Sequence, residues 1–150
     1  MIRYVHTNII AHDWQELADF YISVFGCRLK PPPRNLKGEW LSKASGVENA
    51  ELKGAHLLLP GYGDDGPTLE IFEYTEMQEK EKSLANRKGL RHIAFRVDDV
   101  TGMFRKVLES GGSPVGEVVT QEVSGVGILT FAYVYDPEGN IIELQSWKMP

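Results

Sequence analysis

The sequence predicts an α+β chain built from two tandem βαβββ units, and three observations predict it. A strand, a helix and a closing glycine run from Tyr4 to Gly26 and return in the same order from Leu90 to Gly112. The two stretches superpose at a constant offset of 86, which puts His6 on His92, Asp13 on Asp99, Leu17 on Met103 and Gly26 on Gly112. Each half then reaches a strand with one acid between aliphatic neighbours, Leu69-Glu70-Ile71 and Ile142-Glu143-Leu144. A unit of this kind exposes a sheet face when alone, so two of them are expected to share a surface.

The elements follow in order. Tyr4 to Ala11 reads as a strand, and Asp13 with Glu16 three residues later forms a capping box for the next helix. Leu17, Phe20, Tyr21 and Val24 recur at helical spacing up to Phe25, and Gly26 is a good terminator. Pro31-Pro32-Pro33 excludes a helix interior or central strand and marks a stiff loop or an edge. A short helix is expected over Trp40 to Ala44, ended by Gly46. Strands are expected from Ala50 to Leu59 and from Thr68 to Thr75, separated by the turn-rich Gly63-Asp64-Asp65-Gly66-Pro67. The charged run Glu76 to Lys88 lacks apolar periodicity and reads as an exposed connector, helical in part.

In the second half Leu90 to Val97 is a strand, and Val100, Met103, Phe104, Val107 and Leu108 form an i, i+3, i+4 stripe stopped by Gly111-Gly112. Strands at Val115 to Val123, Ile128 to Tyr135 and Ile141 to Trp147 complete the unit, the last two joined by the turn Asp136-Pro137-Glu138-Gly139-Asn140. The expected organisation is a single domain over residues 1–150, with unit one at about 1–76, a connector at about 77–88 and unit two at about 89–150.

Composition narrows the function classes. A hydrophobic share of 42% and a charged share of 25% are those of an ordinary globular chain. A net charge of −5 without a basic cluster argues against nucleic acid and anionic membrane as partners. Cys27 is the only cysteine, so no intrachain disulfide forms and a cytoplasmic location is expected. No apolar run approaches membrane-spanning length and no leader pattern opens the chain, which is expected to be used as translated.

Pleating assigns side chains to faces. Tyr4, His6, Asn8 and Ile10 share one, and His92, Ala94 and Arg96 another, while Ile93, Phe95 and Val97 point under the helix. Glu70 lies with Phe72 and Tyr74, and Glu143 with Ile141 and Gln145. If the units curl together, His6, Glu70, His92 and Glu143 converge in one open cavity as donors to a divalent metal ion. A histidine alone is more often an ordinary strand residue; the repeat partner reverses that balance. His12 is read as a capping or exposed residue, and Glu73 and Gln145 as rim polar groups. His56 stands in a strand that lines the same cavity but has no repeat counterpart. Trp40, Phe72, Tyr74 and Tyr133 are candidate walls of an apolar pocket, against the commoner role of strand aromatics as core. Arg91 and Arg96 are candidate contacts for an anionic substrate, against the commoner surface placement.

Taken together, His6, Phe20-Tyr21, Phe25-Gly26, Leu69-Glu70-Ile71, Gly89-Leu90-Arg91-His92-Ile93-Ala94-Phe95 and Asp136-Pro137-Glu138-Gly139-Asn140-Ile141-Ile142-Glu143-Leu144 resemble the vicinal oxygen chelate superfamily over nearly the whole chain. That superfamily includes glyoxalase I, methylmalonyl-CoA epimerase, extradiol dioxygenases and bleomycin or fosfomycin resistance proteins. The resemblance implies a cupped mixed sheet around one divalent ion (zinc, nickel, cobalt, manganese or ferrous iron), held by His6, Glu70, His92 and Glu143. Two histidines with two glutamates resemble the glyoxalase I pattern. It implies a lyase or isomerase that abstracts a proton beside a carbonyl of a hemithioacetal or thioester through a metal-stabilised enediolate, with Glu143 as base and Glu70 as its mirror-related alternative. A methylmalonyl-CoA-type epimerase and a non-catalytic resistance-type binding protein are the alternatives. A dioxygenase ranks lower, because those enzymes use two histidines and one carboxylate. Dimers are common in this superfamily, so a homodimer acting on a small-molecule substrate is expected.

Overall fold

The computed structural model describes residues 1–149. The chain divides into two compact units, Met1–Lys80 and the remainder from Glu81 onward. The first contains β1 (His6–Ile10), α1 (Trp14–Phe25), β2 (Arg28–Lys37), α2 (Glu39–Ser45), β3 (Glu51–Leu58) and β4 (Thr68–Tyr74). Its sheet runs β1-β4-β3-β2, with β1 and β4 parallel and the other pairs antiparallel.

Local chemistry starts and stops α1 as the sequence implies. The Asp13 carboxylate accepts from the backbone N–H groups of Gln15 and Glu16 at 3.1 and 3.0 Å, which satisfies two of the unpaired donors at the helix start. Glu73 accepts from Trp14 N–H at 3.2 Å, so the residue read as a rim group anchors the same helix end to β4. At the other end Gly26 takes the left-handed conformation (φ 73°) and donates back to Ile22. Helix α1 lies on β3 and β4. Leu17, Tyr21 and Val24 bury there with Ala55, Leu57, Leu69 and Ile71, each at most 3% exposed.

The opposite face of the same strands carries Leu52, Gly54, His56, Thr68, Glu70 and Phe72. One end of this face is closed by Leu41 of α2, which packs with Ala50, Leu52 and Phe72 and with the half-buried Leu36, Val47 and Tyr74. Of the loop and edge readings of Pro31 to Pro33, the edge holds. The prolines lie within β2, an outer strand, where the register shifts between Lys30 and Arg34. Proline has no N–H to give to β3, so pairing lapses there and resumes beyond it.

The second unit contains β5 (His92–Arg96), α3 (Val100–Glu109), β6 (Ser113–Pro114), β7 (Val119–Val123), β8 (Gly127–Tyr135) and β9 (Ile141–Lys148). Its sheet runs β5-β9-β8-β6, with β7 also on β8, and α3 covers β8 and β9 over Ala132, Val134, Ile142 and Leu144. β5 and β9 pair in parallel, as β1 and β4 do. Asp99 caps α3 through Gly102 N–H at 3.0 Å. The expected turn forms around Asp136, 2% exposed, whose carboxylate accepts from Glu138 N–H and Asn140 N–H at 2.9 Å each and from the Asn140 amide at 2.8 Å.

Two expectations are corrected. The strand read as Val115 to Val123 is shorter, since β7 covers only Val119–Val123, and the two-residue β6 (Ser113–Pro114) lies just before the expected start. Between them Val115 N–H and Gly116 N–H both point at Tyr133 O (3.1 and 3.4 Å), which breaks the regular ladder. Helix α3 stops before Gly111-Gly112 as expected, with Gly111 in the left-handed conformation (φ 96°). The connector carries no helix among the described residues, because a charged run without an apolar stripe has nothing to pack a helix against. No described helix is long and apolar enough to cross a membrane.

Candidate metal and substrate site

In the first unit the site is a row across three neighbouring strands. Asn8 on β1 pairs with Glu70 on β4, and Glu70 pairs with His56 on β3, while His6 and Thr68 pair in the next row. Because residues two apart share a face, all five side chains rise from the side of the sheet that α1 leaves open. Asn8 Nδ2 donates to Glu70 Oε1 at 2.8 Å. His56 Nε2 meets Glu70 Oε2 at 2.9 Å, and His56 Nδ1 lies 3.0 Å from Thr68 Oγ1.

This chain of contacts fixes the tautomer. A carboxylate can only accept, so Nε2 carries the proton, and Nδ1 then accepts from the Thr68 hydroxyl. Burial holds the His56 pKa below its usual 6.5, and the charges of Arg34, His6 and Lys30 act in the same direction against the opposing pull of Glu70. The contact with Glu70 is therefore a hydrogen bond from a neutral ring.

His6 stands differently. Its Nε2 lies 3.6 Å from Glu70 Oε1, beyond hydrogen-bond length. Two donors bound at about 2.1 Å to one ion stand roughly 3.0 to 3.4 Å apart, close to this separation. Ligand atoms of His6, His56 and Glu70 all fall within 4.8 Å of one another. Imidazole nitrogens beside a carboxylate oxygen are the donors that divalent transition metals favour, so His6 and Glu70 fit an ion, and His56 would join them on giving up the Nε2 proton it donates to Glu70.

The second unit repeats the arrangement with different neighbours. His92 Nε2 lies 3.0 Å from Glu143 Oε2, and Gln145 Nε2 donates to Glu143 Oε1 at 3.3 Å. Trp147 Nε1 donates to Gln145 Oε1 at 2.7 Å. Tyr133 pairs with Glu143 in the ladder, where His56 pairs with Glu70, and its ring lies 5.0 Å from that of His92. Burial raises the Tyr133 phenol pKa above 10.0, and the Glu143 charge adds to the shift.

Within the first unit the fold thus brings together His6 and Glu70, and within the second His92 and Glu143. Phe72 is buried on the site face, 5.9 Å from His56 ring to ring, and Tyr74 packs under α2. Arg96 is exposed on the same face of β5 as His92. Trp40 lies on α2, 58% exposed, with its indole N–H on Lys37 O at 3.1 Å. Sequence reasoning passed over Asn8, Thr68 and the roles of His56 and Tyr133. His56 does have a repeat counterpart, Tyr133, but the residue type has changed and the offset is no longer 86. Asn8 carried a signal, since it is two residues from His6 on the same strand.

The fold has known parallels. A glyoxalase family protein from Bacillus cereus matches with a TM-score of 0.83 at 22% identity, over 98% of this chain and 95% of that one. A glyoxalase/bleomycin resistance protein/dioxygenase domain from Frankia sp. matches with a TM-score of 0.61 at 16% identity, over 99% of each chain. A glyoxalase I mutant from Zea mays matches with a TM-score of 0.64 at 21% identity, over 95% of this chain and 44% of that one. At such identities the likeness is one of fold. No curated protein matches the sequence. The family model of the Glyoxalase/Bleomycin resistance protein/Dioxygenase superfamily matches residues 3–144, and with the repeated histidine–glutamate strands inside that span, the chain belongs to this superfamily.

Proposed function

We propose that the chain is a metal-dependent lyase or isomerase of glyoxalase I type, which removes a proton beside a carbonyl of a small hemithioacetal or thioester. The observation that carries this reading is the recurrence of one histidine–glutamate pair at the same strand positions in both units, 3.6 Å apart in the first and 3.0 Å in the second. The proposed donors are His6, Glu70, His92 and Glu143, for zinc, nickel, cobalt, manganese or ferrous iron. A bound divalent ion would supply Lewis-acid stabilisation of the charge that develops on the carbonyl oxygen. Glu143 is the proposed base, and Glu70 the alternative. Phe72, Tyr74, Trp40 and Arg96 are proposed to contact substrate. The lone cysteine and the family resemblance support a cytoplasmic homodimer.

Elemental analysis and hemithioacetal turnover of the wild type beside Glu143→Gln test the reading. The wild type should carry a divalent ion, and the variant should lose roughly 10²- to 10⁴-fold in kcat, the usual contribution of a general base. Absence of metal from both proteins, or full turnover by Glu143→Gln, would defeat it. A second reading has one observation behind it. If an ion displaced the proton that His56 Nε2 donates to Glu70, His6, His56 and Glu70 alone would make a two-histidine, one-carboxylate set, the composition used by non-haem ferrous oxygenases. Retention of ferrous iron with substrate-dependent oxygen uptake would favour that reading.

A further inference from the structure

Beside His56 the first unit has a cavity of about 310 Å³ whose lining does not include Glu70. Its walls include Arg3, Lys30, Arg34, His56, Asp65 and Thr68. The volume is at the lower end of the range for small-molecule sites. Three cationic side chains face one carboxylate there, in a chain whose net charge is −5.

The prolines explain how two of these cations come to share a face. Lys30 pairs with His56, and the next residue of β2 to pair is Arg34, opposite Gly54. Four residues of β2 thus span two of β3. The two extra residues are an even number, so the alternation of sides is preserved and both Lys30 and Arg34 lie on the His56 side of the sheet. Had a single residue been inserted, Arg34 would face α1.

None of the three cations is neutralised by a carboxylate among the described residues. Arg3 donates to the backbone oxygen of Asp65, Arg34 to that of Pro32, and Lys30 Nζ to that of Asp64 at 3.4 Å. The nearby Asp64 carboxylate is held by Arg28 at 3.0 Å. Lys30, Arg34 and His56 line the same cavity. Carbonyl partners leave guanidinium and ammonium donors free to turn toward an anion.

We propose that this cavity binds an oxyanion, a carboxylate or phosphate carried by the substrate at a distance from its reacting carbonyl, through Arg3, Lys30 and Arg34. The proposal rests on the reading of Glu70 as part of the reaction site. His56 bridges the two places, since its Nε2 faces Glu70 and its ring walls the cavity. An anchor one imidazole away from the carboxylate would fix which carbon lies next to it, and binding energy from a remote anionic group would be used for orientation.

The test is calorimetric titration of the full-length protein, stripped of metal, with inorganic phosphate and with succinate at low salt. Wild type is compared with Lys30→Gln, Arg34→Gln, the double variant and the control Lys43→Gln, whose lysine pairs with Glu39 on α2. Each cavity charge removed should weaken binding roughly tenfold, a moderate Coulombic loss at a partly exposed site, and the control should be unchanged. Arg34→Lys should restore most of the affinity. Zinc affinity, measured in parallel, should stay within about twofold of wild type across the cavity variants, given that none of them touches a proposed donor. Tighter phosphate than succinate would assign a phosphate-bearing substrate, and the reverse a carboxylate. Equal binding by wild type and the double variant, or anion binding seen only with zinc present, would overturn the proposal. Zinc binding that fails while phosphate binding responds to Lys30 and Arg34 would instead defeat the metal reading and leave the cavity assignment standing.

Discussion

Replacing His56 measures how far the Glu70 carboxylate depends on its neighbours. The Glu70 side chain is 12% exposed and takes two hydrogen bonds from neutral side chains, Asn8 at 2.8 Å and His56 at 2.9 Å. His56→Ala removes the second of these. It also leaves the Thr68 hydroxyl, in a residue 4% exposed, without the ring nitrogen it faces. A hydrogen bond to a charged group contributes about 1.5 to 3 kcal/mol. Water entering the vacated space recovers part of that, so a loss of about 1 to 2 kcal/mol is expected. His56→Gln keeps a donor and should lose less. The assay is urea denaturation of the metal-free protein at pH 8, where the imidazole is neutral in both folded and unfolded chains. Zinc affinity by competition with a chelating dye should fall roughly 10- to 100-fold in His56→Ala, the usual cost of removing a group that orients a metal ligand. A stability loss under about 0.5 kcal/mol together with zinc affinity within twofold would refute the assignment of His56 as the group that holds Glu70.

Other perturbations test the frame around the site. A Cβ at Gly54 would lie 2.1 Å from Ile71 O and 2.7 Å from the Phe72 ring, so Gly54→Ala should lower the stability measured by urea unfolding by about 1 to 3 kcal/mol and shift the Phe72 side of the site. Asp136→Ala removes the acceptor of three hydrogen bonds at a buried turn, and a loss of about 2 kcal/mol or more is expected in the same assay. Burial pushes the Cys27 thiol from 9.0 up to about 11, with a backbone hydrogen bond opposing in part. The native state therefore keeps this proton after the unfolded chain has released it. The resulting stability is complete below about pH 9 and is lost as pH rises through about 11, by roughly 2 to 3 kcal/mol for a two-unit shift. Unfolding of wild type should steepen over that interval relative to Cys27→Ala.

The repeat was legible because its signals are local. Aspartate caps, the helical stripes and the glycine after α1 each act within a few residues, and they recur at one offset. The second-strand region was not legible in that way. What Pro31 to Pro33 do depends on which side of a sheet β2 occupies, and a pairing partner 20 or more residues away decides that. The break between β6 and β7 has the same origin, since Val115 N–H and Gly116 N–H both turn to Tyr133 on β8. His6, Glu70, His92 and Glu143 stood out as matched residue types. His56 and Tyr133 did not, since only the ladder shows that each is the cross-strand neighbour of its unit's glutamate.

That substitution within the repeat gives the two carboxylates different surroundings. Their side chains are nearly equally exposed, 12% for Glu70 and 13% for Glu143, so burial does not separate them. Their partners do. At the ladder positions flanking Glu70 stand Asn8 and His56, and both donate to it; at those flanking Glu143 stand Ala94, which has no donor, and Tyr133, whose ring packs toward His92 and Phe131. Beyond the histidine common to both units, the one donor to Glu143 is Gln145 at 3.3 Å among the described residues, and that amide is itself tied to Trp147. A carboxylate that must stay in place gains from two short donors, whereas one that must take a proton and give it up gains from few. The asymmetry supports Glu70 as the fixed donor and Glu143 as the base. It also predicts that adding a donor beside Glu143 by Ala94→Asn should lower kcat more than KM rises, while the reciprocal Asn8→Ala should act first on metal affinity.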